Sequence, residues 1–154
     1  MPISERRVQV EIKFTVPGQP VPQGRPRFKR SGKFVQTYDP PPSAKYKRKV
    51  KKYAEKVPLY EPLKGELYAE VLIFKETLKG FSKAKKAAAE AGTLRPTTKP
   101  DIDNYAKGIL DAVKGVIWKD DGQVVDLYTR KFYSEIPRVE ITVKEISSVQ
   151  EKLF

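Results

Sequence analysis

The stretch that most constrains this chain is residues 101–126, DIDNYAKGILDAVKGVIWKDDGQVVD. Tyr105, Ile109, Leu110, Val113, Val116 and Ile117 recur at the spacing of one helical face. A helix with a single apolar stripe must lay it on another element, so the rest of the chain has to supply a surface that receives it. Asp101 and Asp103 stand at the mouth of this helix, just after Pro100. Lys107 lies one turn beyond Asp103, and Asp111 one turn beyond Lys107, on the polar face. Trp118, the pair Asp120-Asp121 and a β-branched run from Val124 follow. Six of the nineteen acidic residues fall in this stretch, although the chain as a whole has a formal net charge of +12.

Two readings of these carboxylates are open. Aspartate at a helix start is a common cap and favours the macrodipole, and an Asp–Gly pair is an ordinary turn. Gathered carboxylates also suit a hard cation such as Mg²⁺, which takes oxygen ligands from one or two carboxylates, water and substrate phosphate. In phosphodiester hydrolysis such an ion neutralises the scissile phosphate and lowers the pKa of a bound water. A lysine beside it adds fixed positive charge where the pentavalent phosphorane is most negative. Taken together, Asp101, Asp103, Lys107 and Asp121 favour the second reading. Asp111 is either a support for the ligands or a surface partner of Lys107 and Lys114. Asp120 reads as a turn residue and Asp126 as a strand residue.

The chain contains no cysteine and no histidine. This excludes disulfides, thiolate sites, Ser–His and Cys–His triads and the usual zinc sites. Lysine and arginine number 31 of 154 residues, which implies a polyanionic partner, nucleic acid before an anionic membrane. No apolar run approaches the roughly 20 residues that span a bilayer. The opening MPISERR lacks the apolar core of a signal peptide, so a cytoplasmic protein without a membrane partner is expected.

The length suits one domain with a real core. Val8, Val10, Ile12, Phe14 and Val16 alternate with polar residues as a half-buried strand that Pro17-Gly18 ends. A Gly/Pro-shaped basic segment follows, with Arg25, Arg27, Lys29, Arg30 and Lys33 interleaved with Phe28 and Phe34. Such side chains suit phosphate contact, with the rings available to stack on unpaired bases. Residues 34–38 are expected to pair back on residues 27–29. A helix follows the prolines after Asp39, with the apolar stripe Tyr46, Val50, Tyr53, Ala54 and Val57. Its other face is basic, including Lys45, Lys47 and Arg48. Residues 66–76 read as a central strand covered on both faces. Residues 82–91 form a short helix capped by Ser82 and stopped by Gly92, and Lys99 lies in the loop before Asp101. Residues 123–134 and 138–147 read as a hairpin that completes the sheet; residues 150–154 are not assigned. The expected architecture is α+β (mixed α/β), a single domain over residues 1–154 with a mixed sheet flanked by helices.

The run KPDIDNYAKGILDAVKGVIWKDDGQVVD resembles the signature of the RusA-type Holliday-junction resolvases: D-x-D-N, a lysine, an L-D-A helix, then W-x-D-D-x-Q-V. The basic P-x-G-R-P-R segment is similar to that of phage and Gram-positive members. The resemblance implies a homodimeric endonuclease that cuts four-way DNA junctions with Mg²⁺. It implies metal-binding carboxylates at Asp101, Asp103 and Asp121 and a catalytic lysine at Lys107. The bacterial type member has arginine where this chain has Pro100, so grip on DNA would rest more on other cations. Two rivals stand beside this reading. A restriction-type nuclease carries P-D and then E-x-K, but here Glu11-Ile12-Lys13 precedes Pro100-Asp101. An architectural DNA-binding protein has no use for clustered carboxylates, which repel phosphate unless a cation intervenes.

Overall fold

The computed structural model of the protein describes residues 6–148; the side chain of Val8 and the tail 150–154 lie outside the described residues. In chain order the elements are β1 (Arg6–Pro17), β2 (Arg27–Ser31), β3 (Phe34–Tyr38), α1 (Pro41–Glu55), β4 (Glu66–Glu76), α2 (Lys83–Glu90), α3 (Ile102–Val113), a 3-10 turn (Asp121–Gln123), β5 (Val124–Ser134) and β6 (Arg138–Ser148). This is the expected α+β arrangement. β1, β6, β4 and β5 form one mixed sheet in that order, parallel only between β4 and β5. The hairpin β2–β3 stands as a separate two-stranded ribbon.

The sheet differs from expectation in two ways. β5 and β6 are consecutive in sequence but do not pair, because β4 lies between them. β4, whose buried face is apolar, thereby gains ladder partners on both sides. Residues 135–137 carry the chain across its end, held by Arg138 Nη1 donating to the Ile136 carbonyl (2.8 Å) and Gly18 N donating to the Pro137 carbonyl (3.0 Å). β4 is also covered fully on one face only. Leu67, Ala69, Val71 and Ile73 are wholly buried, whereas Tyr68, Leu72 and Phe74 are half-buried. On that second face cations lie over rings in place of a second apolar layer: Arg138 over Phe74, Arg130 and Arg95 over Phe132, and Lys144 over Tyr68. Phe74 and Phe132 stack at 5.2 Å.

The core fills the space between the buried sheet face and helices α1 and α3. Tyr46, Val50 and Ala54 of α1 meet Tyr105, Ile109, Ala112 and Val113 of α3, over Ile12, Val16 and the β4 and β6 side chains. Of the anticipated stripes Tyr46, Val50 and Ala54 in α1 and Tyr105, Ile109 and Val113 in α3 are buried, but α3 ends at Val113, so Val116 and Ile117 lie beyond the helix that was expected to carry them. In β1 a bulge between Val8 and Val10 breaks the alternation and leaves Val10 exposed. Ser82 caps α2 by accepting a hydrogen bond from Lys85 N, and Gly92 ends that segment at φ 79°. Among the described residues no helix is long and apolar enough to cross a membrane.

Candidate active site

The site is delivered by a braced loop. Lys131 of β5 donates from Nζ to the carbonyls of Thr98 and Pro100, each at 3.0 Å, and Arg95 Nε donates to the Lys131 carbonyl at 3.0 Å. The Lys99–Pro100 peptide is cis. Asp101 then occupies the N-cap position of α3 and its backbone carbonyl accepts the first helical hydrogen bonds, but its side chain makes no capping bond. Asp103 points outward from the first turn. Asp101, Asp103 and Lys107 are all exposed. Among the described residues neither carboxylate has a hydrogen-bond or ion-pair partner. Neither side chain makes a capping bond, though Asp103 keeps the favourable place of an acid in the first turn, and both remain available to an external cation.

Asp121 is held differently. The buried Trp118 indole donates from Nε1 to Asp121 Oδ1 at 2.7 Å, leaving Oδ2 uncommitted. The turn around it is a capping box: Asp120 Oδ1 accepts from Gly122 N, and Gln123 Oε1 accepts from Asp120 N, both at 3.0 Å. Gln123 Nε2 also donates to the carbonyls of Leu63 (3.0 Å) and Gly65 (3.3 Å), tying the turn to the entry of β4. Trp, Asp and Gln in this motif thus act as one device that orients Asp121. Asp120 is a turn residue and Asp126 a strand residue, as their sequence context indicates. Among the described residues no three acidic side chains stand close enough to hold a metal ion. Asp101, Asp103 and Asp121 therefore form no three-carboxylate cluster within one chain.

A second polar network lies where α1 meets α3. Lys47 Nζ bridges Asp39 (2.9 Å) and Asp111 (3.3 Å), its side chain only 21% exposed. The Lys47 hydrogen bond, helped by one from Gln23 Nε2 (3.0 Å) and by the charge of Lys107, holds the Asp39 carboxyl below its ordinary pKa. Asp111 is thus the partner of Lys47 rather than of Lys107 or Lys114, and the Lys47 ammonium is committed. Arg25, Arg27, Lys29, Arg30, Lys33, Lys45, Arg48 and Lys99 are exposed. Lys45 and Arg48 share an α1 stripe with Lys49, Lys52 and Lys56.

Sequence reasoning missed Asp39, Gln23 and Lys131. Asp39 read as a helix boundary beside its prolines, and nothing in the spacing linked it to Asp111. Gln23 N donates to the Asn104 carbonyl at 2.9 Å, a tertiary contact with no local signature.

Free carboxylates set within a strongly cationic surface are the arrangement of proteins that hydrolyse nucleic acids through a bound cation. The family model of endodeoxyribonuclease RusA matches residues 17–144, and the chain belongs to that family. It is also 49% identical over 140 residues to the uncharacterized protein YqaN of Bacillus subtilis (strain 168), covering 89% of this chain and 98% of that one.

Proposed function

We propose that this protein is a Mg²⁺-dependent, structure-selective endodeoxyribonuclease. It resolves four-way DNA junctions by paired symmetric cuts, acting as a cytoplasmic homodimer in recombination and repair. The observation that carries this reading is the pair Asp101 and Asp103: exposed, without partners among the described residues, and opening the helix that bears Lys107. Bare carboxylates repel phosphate, so a DNA-acting protein gains from them only through a cation. The donor set fits Mg²⁺, being all carboxylate oxygen in a chain without histidine or cysteine. Asp101 and Asp103 would hold the ion, and Asp121, which does not cluster with them in this structure, would join them only once the ion and DNA draw the turn and the helix start together. When bound, it neutralises the scissile phosphate and acidifies the attacking water. Lys107 places its exposed ammonium one turn from Asp103, to stabilise charge on the phosphorane or leaving oxygen. Lys47 bridges Asp39 and Asp111 and offsets one of their two negative charges, so both carboxylates have a cation other than Lys107 beside them. The cations of the ribbon and of α1, with Lys99, would track the phosphates.

The edge of β5 supports the dimer. Val125, Leu127 and Tyr128 are each about half exposed on a strand that, among the described residues, has no sheet neighbour on its outer side. Such an edge invites pairing with another strand. Antiparallel self-pairing about Tyr128 would set Asp126 opposite Arg130 of the partner subunit, so the charges are self-complementary.

Asp103→Asn tests the site. Cleavage should fall at least about a hundredfold, while DNA affinity holds or rises because a negative charge is removed. Unchanged cleavage would remove Asp103 from the site. A wild-type protein that binds junctions without cutting in Mg²⁺ would instead be an architectural binder.

A further inference from the structure

The ribbon β2–β3 carries four of the eleven exposed large hydrophobic side chains among the described residues: Phe28, Phe34, Val35 and Tyr38. Phe28 and Phe34 are 71% and 76% exposed. Every residue of both strands is exposed, so neither face of the ribbon belongs to the core. An isolated two-stranded hairpin is marginal in water, and large rings left in solvent mark a binding surface.

The register divides the side chains between two faces. Phe28 and Arg30 lie with Val35 and Thr37 on one face; Arg27 and Lys29 lie with Phe34, Gln36 and Tyr38 on the other. Each face thus presents an aromatic ring beside a cation. Gly32, at φ 61°, makes the tight two-residue turn at the tip with Lys33.

The base of the ribbon is fixed to the helices of the site. Gly24 N donates to the buried Ser43 Oγ at 2.8 Å, and a Cβ at Gly24 would stand 2.9 Å from Pro40 Cγ. Gln23 is bonded to Asn104 beside Asp103, and Asp39, next after β3, is bonded through Lys47 to Asp111. Both ends of the ribbon are therefore held in register with α3.

Charge selects the occupant. Residues 24–38 contain five cations and no acid, and a second copy of a chain of net charge +12 is a poor partner for such an arm. A polyanion with exposed π-faces is a good one. We infer that the ribbon is a wedge that enters the branch point of the DNA, where Phe28 and Phe34 stack on bases freed from pairing. The wedge distinguishes a branched substrate from plain duplex, because intact duplex offers no open base face. It rests on the DNA-cleaving reading above and adds the residues that read branching.

The test compares binding of the full-length protein to a synthetic four-way junction and to a linear duplex of the same sequence, in EDTA. The double variant Phe28→Ala/Phe34→Ala should lose about tenfold or more in junction affinity and stay within about twofold on duplex. In separate variants, Phe28→Trp and Phe34→Trp should show indole quenching on the junction and none on duplex, over a constant background from buried Trp118. Equal losses on both DNAs, no loss on either, or no quenching would overturn the wedge while leaving the nuclease reading intact. Failure of the wild-type protein to bind either DNA would sink the nuclease reading itself. A change in oligomeric mass of the double alanine variant would make the ribbon an arm between copies and overturn the inference.

Discussion

Asp39 shows how one side chain links the stability of the protein to its site. Its carboxyl is held below the ordinary pKa of 3.8 chiefly by the Lys47 hydrogen bond, which with the smaller help of Gln23 outweighs the cost of desolvation. A depressed carboxyl favours the folded state above the unfolded pKa, and that contribution disappears as pH falls through the folded value. Asp39→Asn should therefore flatten the acid limb of stability between about pH 5 and 2. At neutral pH it should cost about 1 kcal/mol or less, since the pair is partly solvated. Chemical denaturation across that range checks this, and an unchanged acid limb would show that Asp39 gains nothing from Lys47. For two of the acids the local role was legible in the sequence. Asp120 and Asp126 read correctly because turns and strands leave local patterns. The ion pairs of Lys47 left no such pattern, because its partners lie 8 and 64 positions away on a chain whose helix is rich in lysine.

At the level of elements, periodicity with caps and breakers located the strands and helices, although α3 stops at Val113, short of Val116 and Ile117, and the larger errors were in pairing. Residues 124–134 and 138–148 are strands as expected, yet the shortest connection did not produce a hairpin. Hydrogen-bond partners are chosen by the whole sheet, and β4 took both. The polar face of β4 was misread because Tyr68 and Phe74 look like core residues in sequence, whereas cations of β6 cover them. The open edge of β5 is visible only in the assembled sheet. If it forms the dimer contact, Leu127→Lys should leave the fold intact, because Leu127 is 47% exposed, and yield a particle of one chain mass, 17.6 kDa. Sedimentation equilibrium of wild type and variant decides this. A Leu127→Lys protein that still sediments at twice the chain mass would place the interface elsewhere.

For the whole molecule, the sheet and the two helices packed on it fix three features in place. α3 presents Asp101, Asp103 and Lys107, the braced turn presents Asp121, and the pinned ribbon projects its cations and rings. The motif was legible because its residues are contiguous. How Asp121 stands relative to the other two carboxylates was not, since it depends on packing rather than spacing. The central claim is junction-selective hydrolysis, and one measurement addresses it most directly. A labelled four-way junction and a linear duplex of the same sequence are incubated with the protein in Mg²⁺, beside EDTA and Asp103→Asn controls. The account predicts paired, symmetry-related cuts in the junction alone, absent from both controls. Equal cutting of duplex and junction, or cutting that survives EDTA, would contradict it.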